Sequence, residues 1–463
     1  MFGVAVRVNT QRIIIKRCFL DSMKCNHKHA SIIRQRCYYH ELSYETTGDP
    51  CQVLRYSQID EKEEALFVLN RKRMEEETIR NNCFESHVGV KMLYAPVNPA
   101  DINAIQGVYS SPFEPTSHTR ILPNTHYNNN NISFHHPDFT VCGSEGIGVV
   151  THHHHTRGNS KQRFKEGDLV ALTIPSIGTW RSFLITTESS LTKLNIENIN
   201  NPGNNDNKQL QNLAPLPQIG GTAYRMLHDF VKELSSEDVV IQNGGASSVG
   251  IMVSQLASIL FGAKVVSIVR RGPDRTDDQW NQLCQYLTNQ GKCAYVFQEE
   301  RLLHDDTKKQ AMKELQQVLY ELSTNNSKEG KKLPRLGLNC IGGPSATIVA
   351  RCLSHHGTMV TYGGMSKQGV VIPTGMMIFK NLKFVGYWHS RWNIQADVTT
   401  KQTMIDKLFN LANDQLIHCP STHSLPLRDY NKGLQYAIHG KNIIEDNDTK
   451  EYVRKKLVFD CRE

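Results

Sequence analysis

Nowhere in its 463 residues does this chain carry the roughly 20 consecutive apolar residues that a membrane-spanning helix needs. Its 12 cysteines include no C-x-x-C pair and no clustered lobe that would hold a structural zinc. A chain this long builds its own core and needs no secreted disulfide framework, so the thiols read as reduced or inert and buried. The G-x-S-x-G nucleophile elbow is missing, because Gly143-Ser144-Glu145-Gly146 has the wrong spacing. Apolar residues at 39% and charged residues at 21% exclude a collagen-like or wholly disordered chain. The length suits two or three domains.

Positive charge is also scarce where a nucleic-acid surface would need it. The net charge is +8, but residues 1–40 hold eight basic residues (Arg7, Arg12, Lys16, Arg17, Lys24, Lys28, Arg34, Arg36) against Asp21 alone. That segment carries +7 and leaves +1 for the other 423 residues, too little for a nucleic-acid footprint on the body. An Arg-rich, acid-poor start with apolar patches such as Ile13-Ile14-Ile15 reads as an organelle-import presequence. A basic tail touching a membrane or partner, or an ordered extension, are the alternatives. A secretory signal is not, because its apolar run would be broken by basic residues.

Residues 41–85 are charged and helical in pattern over 61–80, a polar lead-in. From Val88 short apolar runs broken by Pro and Gly predict a compact β-rich unit. Three polar runs read as loop insertions outside the core: Tyr127–Asn131, the four histidines His152–His155, and Asn198–Asn207. Between 220 and 390 the rhythm changes. Strands are expected at 239–242, 264–269, 294–297, 336–340, 358–361 and 383–388. Helices are expected at 251–261, 308–322 and 345–354. That alternation predicts a parallel sheet covered on both faces. Helices at 403–412 and 427–438 follow, and this tail is the natural completion of the β-rich unit, with the parallel sheet inserted between.

Strand, glycine-bearing turn and helix start is the arrangement that holds a dinucleotide's pyrophosphate. Here Asn243-Gly244-Gly245-Ala246-Ser247-Ser248-Val249-Gly250 follows the first strand, with Ser247 at the middle glycine's place, so the fingerprint alone also fits an ordinary tight turn. About 20 residues on, where an NAD site places an acid on the ribose, stand Arg270 and Arg271. Cations there neutralise a 2′-phosphate and favour NADP; a solvated charge pair is the plain alternative. Gly342-Gly343 and Tyr362-Gly363-Gly364-Met365 follow later strands, placed to meet the nicotinamide half. Tyr109, in polar surroundings before a Ser-Ser-Pro turn, is either a packed tyrosine or a proton donor.

The blocks DINAIQGVY (101–109), GTWRSF (178–183), TAYRMLHDFV (222–231), VVIQNGGASSVG (239–250), VVSIVRRGPD (265–274), LNCIGGPSAT (338–347), GTMVTYGGMSKQ (357–368) and IFKNLKFVGYW (378–388) run in order over about 300 residues. With them the chain resembles the mitochondrial trans-2-enoyl-thioester reductases, a branch of the medium-chain dehydrogenase/reductase superfamily. The resemblance implies an α/β protein with a GroES-like catalytic domain from 86–219 plus 391–463. A Rossmann NADP-binding domain at 220–390 is inserted in it, after a presequence (1–40) and the lead-in (41–85). It implies NADPH-dependent reduction of enoyl thioesters carried by coenzyme A or acyl-carrier protein, in the mitochondrial matrix, by a homodimer.

By the same resemblance Tyr109 is the catalytic tyrosine, and Asn103 and Trp388 line the active site. Ala246, Ser247, Ser248, Val249, Gly250, Arg270, Arg271, Tyr362, Gly363, Gly364, Met365, Tyr387, Trp388 and Lys455 contact the cofactor. No metal is implied, since the G-H-E motif of the superfamily's zinc alcohol dehydrogenases reads Gly143-Ser144-Glu145 here. The sequence departs from the family at Ala246, where Asn is usual, at Ile219-Gly220, where N-P is usual, and at Gly272, commonly basic. A quinone reductase on the same scaffold and a non-catalytic NADP-binding interaction protein are the alternatives.

Overall fold

The computed structural model describes residues 38–45, 54–60, 87–105, 139–154, 163–174, 177–196, 208–323, 333–439 and 455–462. Tyr109, residues 127–131 and 198–207, the 61–80 segment and the basic terminus to residue 37 lie outside them. β1 (Tyr38–Glu45) and β2 (Leu54–Asp60) form an antiparallel hairpin. Strand therefore occupies 41–45 and 54–60 of the polar lead-in, outside the 61–80 stretch for which a helical pattern was expected.

β3 (His87–Pro96) is buried along nearly its whole length and runs into α1 (Pro99–Ile105). β4 (Phe139–Val141) adds to β1, and β5 (Gly146–His154) pairs antiparallel with β3. The histidine run is therefore not a loop over its first three residues. His152 and His153 continue β5 opposite Gly89 and Val88, past a register shift between Gly89 and Val90. The His153 ring meets Glu188 at 2.6 Å instead of projecting into water. β6 (Leu169–Leu172), β7 (Phe183–Thr187) and β8 (Leu191–Lys193) complete this part of the sheet.

Two helices, α2 (Lys208–Leu213) and α3 (Leu216–Asp229), lead to the second sheet. Its strands are β9 (Val239–Asn243), β10 (Lys264–Val269), β11 (Tyr295–Gln298), β12 (Leu336–Asn339), β13 (Thr358–Thr361) and β14 (Lys383–Gly386). All pair in parallel, in the order β11-β10-β9-β12-β13-β14. The direction of winding reverses between β9 and β12, the switch point where open parallel sheets take ligands. The intervening helices are α4 (Ser248–Phe261), α5 (Asp277–Asn289), α6 (Glu299–Leu303), α7 (Lys308–Leu322), α8 (Gly343–Arg351) and α9 (Thr374–Phe379). α4 stops at Gly262, whose φ of 66° suits the left-handed helix cap.

The chain then returns through α10 (His389–Gln395), α11 (Val398–Asn413), β15 (Thr422–Pro426), α12 (Tyr430–His439) and β16 (Lys456–Asp460). α11 begins five residues before the expected start because the Asp397 side chain caps it, accepting from the Thr400 amide at 2.9 Å. β16 inserts between β15, to which it runs parallel, and β3, to which it runs antiparallel with Val458 opposite Pro96, so the tail completes this otherwise antiparallel sheet. Trp180 and Phe459, both fully buried, meet edge to face at 5.0 Å and tie the GTWRSF block to this last strand.

One hydrophobic cluster joins the two sheets, from Leu93, Tyr94 and Ile147 through Leu216, Ile219 and Ala223 of α3 to Val240 and Met252, with Leu408 and Phe409 of α11. Ile219, at a departure from the family, is thus a core residue. The described cysteines form no disulfide, and burial pushes Cys340 up to about 11 and Cys352 up to about 12. Among the described residues no helix is long and apolar enough to cross a membrane.

Candidate functional site

The turn after β9 is shaped by crowding. A Cβ at Gly245 would overlap the Ser267 side chain, and one at Gly250 would lie 2.7 Å from the Gly244 carbonyl oxygen. Gly244 has a φ of 63°. Backbone here passes as close to its neighbours as glycine permits, and the Gly245 and Ser247 amides are bonded to the Ile268 and Gly244 carbonyls. Ser247 caps α4, accepting from the Gly250 amide at 3.1 Å. Beneath the turn the buried Gln242 amide donates to the Gly250 carbonyl and to Ser267 Oγ, both at 2.9 Å. Ala246 packs with Ile251 and Val269 rather than offering a polar group. These features fit a dinucleotide's pyrophosphate: a helix start whose Ser248 and Val249 amides have no acceptor among the described bonds, room for backbone approach, and no carboxylate in the turn.

After β10 the two arginines part company. Arg271 is spent within its own loop, donating to the Arg275 carbonyl at 3.0 Å and pairing with Asp277 at 2.6 Å. The Arg271 and Gly272 amides both donate to the Glu300 carboxylate, at 3.1 and 2.8 Å. Gly272 has a φ of 76°, which explains glycine where the family is commonly basic. Arg270 is exposed, and its guanidinium has no partner among the described residues. It is the cation left for a phosphate.

Across the switch point Asn243 and Asn339 end their strands side by side. The Asn243 amide donates to Asn339 Oδ1 at 2.8 Å and to Ser345 Oγ at 3.1 Å. Each carbonyl oxygen also takes a turn amide, Cys340 on Asn243 and Gly342 on Asn339. Ser345 in turn donates to the buried Glu299. Tyr362 bonds Asn339 through its amide, and burial, then Cys340, hold its phenol well above the ordinary tyrosine range. Gly363 lies against Cys340, Gly364 is open, and Met365 projects into solvent. Sequence reading missed this asparagine pair. Its signal was there: an asparagine closing each of two fully buried strands.

Beyond β14 Tyr387 turns inward. Its hydroxyl meets His389 Nδ1 at 2.7 Å and its ring packs edge-on to Phe230. Burial raises its phenol and pushes the fully buried His389 down to about 3. Gly221 of α3 makes room for that imidazole, since a Cβ there would lie 2.6 Å from Nε2. Between the two anchored neighbours Trp388 is exposed, with the Arg391 guanidinium over its ring.

On the other sheet Asn103 sits in α1, whose first turn is fastened by side chains. Asp101 accepts from the Asn98 amide at 2.8 Å and from Ser144 Oγ at 2.7 Å. Lys455 lies just before β16, its carbonyl accepting from the Tyr436 hydroxyl. The side chain that reaches α1 is that of Lys456, donating to Asn98 Oδ1 at 2.7 Å. The structure thus gathers 246–250, 270–271, 362–365 and 387–388 at the carboxyl edge of the parallel sheet. Asn103 and Lys455 belong to the antiparallel half.

The chain is 35% identical over 353 residues to the mitochondrial enoyl-[acyl-carrier-protein] reductase of Rattus norvegicus, covering 76% of this chain and 78% of that one. It belongs to the mitochondrial enoyl-[acyl-carrier-protein] reductase family. The Homo sapiens member is 33% identical over 396 residues, 86% of this chain and 88% of its own. The family is a branch of the medium-chain dehydrogenase/reductases and mitochondrial. No family-level sequence model matches the chain.

Among solved structures, an Etr1p/NADP/crotonyl-CoA complex superposes with a TM-score of 0.64 at 25% identity, over 91% of this chain and 99% of that one. The Candida tropicalis Etr1p/Etr2p heterodimer, a mitochondrial 2-enoyl thioester reductase, gives the same values. An NADPH:quinone reductase from Bacillus thuringiensis shares the fold at a TM-score of 0.60 and 17% identity, over 91% and 99%.

Proposed function

We infer that this chain reduces the trans-2 double bond of enoyl thioesters, presented by acyl-carrier protein or coenzyme A, with NADPH in the mitochondrial matrix. Family membership supports the reaction class. The observation that carries the cofactor reading is the pairing of a crowded glycine turn at a helix start with an unengaged Arg270 after the next strand. The Etr1p complex with NADP and crotonyl-CoA supports both ligands by similarity.

The thioester carbonyl leaves the β carbon electron-poor. NADPH held at the site would supply hydride to that carbon, and the π electrons of the double bond would move towards the carbonyl oxygen as an enolate. The residues of the chain do the rest. Residues 246–250 hold the pyrophosphate, Arg270 meets the 2′-phosphate, and 362–365 with Trp388 border the nicotinamide. Asn103 lines the opposite wall. Tyr109, matched to the family's catalytic tyrosine, gives the α carbon its proton. Residues 220–390 form the nucleotide-binding half and 86–219 with 391–463 the catalytic half.

The homodimer reading has its own support. β14 is an edge of the parallel sheet, and Val371, Ile378 and Phe379 nearby are 69%, 66% and 77% exposed. An unpaired edge beside apolar surface suits association with a second copy.

The test is NADPH oxidation by the purified protein with trans-2-enoyl thioesters of increasing length and with a simple quinone. Thioester turnover far above quinone turnover is expected. Quinone preference would favour the quinone-reductase alternative, and tight NADPH binding with no turnover on any thioester would favour a non-catalytic role.

A further inference from the structure

In the half built on β3 the side chain of Glu145 is wholly buried, at 0% exposure. Its two carboxylate oxygens accept from opposite directions. Oε2 takes the Asn98 side-chain amide at 3.0 Å, and Oε1 takes the backbone amide of Gln218 at 2.8 Å. Its carbonyl accepts from Thr179 Oγ1 at 2.7 Å. Asn98 opens the first turn of α1, and Gln218 lies in the first turn of α3. A carboxylate can accept both N–H groups at once, whereas an amide of the same length would face one of them with its own N–H.

The two partners lead to the two walls of the reading proposed above. From Asn98 and Asp101, α1 runs on to Asn103. From Gln218, α3 continues to Gly221, which receives His389, and His389 with Tyr387 anchors the exposed Trp388 between them. Lys456 braces the bridge by donating to Asn98 Oδ1.

We propose that Glu145 is a positioning residue which, through Asn98 on one side and the start of α3 on the other, sets the spacing between the Asn103 wall and the Trp388 wall of the substrate site. This rests on the reductase reading. Burial opposes a charge at Glu145 and raises its carboxyl, while Asn98, Lys456 and the Gln218 amide favour the ionised form. A group so costly to bury, with every acceptor engaged, specifies one arrangement and not merely a stable one. A small shift in reacting groups is enough to slow a reaction strongly. The adenosine end, held by 244–250 and Arg270, has no hydrogen bond to this bridge and should not feel its loss.

The experiment compares wild type, Glu145→Ala, Glu145→Gln and Asn98→Ala for kcat and KM with a crotonyl thioester, NADPH Kd by fluorescence titration, and Tm. Glu145→Ala and Asn98→Ala should each lower kcat at least tenfold and raise thioester KM, with NADPH Kd within twofold of wild type. Glu145→Gln, keeping one acceptor, should recover part of the loss. The Glu145→Ala/Asn98→Ala double variant should be no worse than the poorer single one. Should Glu145→Ala not fold, Asn98→Ala and Glu145→Gln carry the same comparison. A fall in Tm with kcat and KM unchanged would overturn the proposal, as would NADPH affinity falling in step with turnover. Wild type inactive on every thioester would instead overturn the reductase reading, and this inference with it.

Discussion

The two sheets bring their groups to the proposed site by opposite means. On the parallel sheet each candidate residue follows its strand within a few positions, and main-chain amides and glycine-only contacts define the surface. On the antiparallel side the wall is tied by side chains remote in sequence: Asn98 reaches Glu145 47 positions away and Lys456 358 positions away. The first is stiff because backbone geometry makes it so. The second is exact only while a buried polar bridge stays whole. Damage to the first should appear as cofactor affinity or stability, and damage to the second as turnover.

The largest separation is expected at Tyr109. Tyr109→Phe should cost about 10²- to 10⁴-fold in kcat, the usual worth of a positioned proton donor, with NADPH Kd nearly unchanged. Single-turnover kinetics and fluorescence titration measure the two. Near-normal turnover would remove the tyrosine from its role.

Next comes the arginine pair. Arg270→Ala should raise NADPH Kd by about 10- to 100-fold, in line with one or two charge-assisted hydrogen bonds, and leave NADH Kd alone. Arg271→Ala should do less to the NADPH/NADH ratio, because its guanidinium is already bonded to Arg275 and Asp277. Equal losses for both cofactors in Arg270→Ala would reject its phosphate contact.

A smaller effect tests the stiffness of the glycine turn. Gly245→Ala forces a methyl group onto Ser267 and should lower unfolding free energy by about 1–3 kcal/mol. Gly364→Ala, with nothing within 4 Å of its Cβ, should stay within about 0.5 kcal/mol. Urea midpoints decide between them.

The smallest is a slope. His389 is held down to about 3 by burial and then by Arg225, against an ordinary value of 6.5. The folded state therefore binds fewer protons than the unfolded chain between those values, so this contribution is complete above pH 6.5 and drains away as pH falls towards 3. The wild type should lose up to about 1.4 kcal/mol per pH unit from this group below 6.5. His389→Phe should flatten the pH dependence of the urea midpoint by that component. An unchanged slope would mean the imidazole is protonated where it lies.

Much of the parallel half was legible because its signals are local. β10, α7 and β13 fall on the ranges that apolar runs and their bounding glycines or polar residues predict. α5 escaped: only Leu283 and Leu287 of it are buried, so it shows little apolar period, although Thr276 and Gln279 form a capping box at its start. His152 and His153 read as loop by composition, yet their pairing with β3 makes them strand. Composition cannot see a partner strand. Nor could sequence assign Glu145, whose partners at 98, 218 and 456 converge only after the tail inserts β16 beside β3. The resemblance supplied Asn103 and Trp388, and gave its catalytic role to Tyr109, which its polar surroundings had already marked as a candidate proton donor. The structure describes the first two, and Tyr109 lies outside the described residues.

The most direct measurement of the central claim follows the hydride itself. Crotonyl thioester is reduced with NADPH carrying deuterium at the transferable position of C4, and the butyryl product is analysed by NMR. The account predicts deuterium at the β carbon and a solvent-derived proton at the α carbon, both lost together with product in Tyr109→Phe. Deuterium at the α carbon, or no butyryl product while a quinone is reduced, would contradict it.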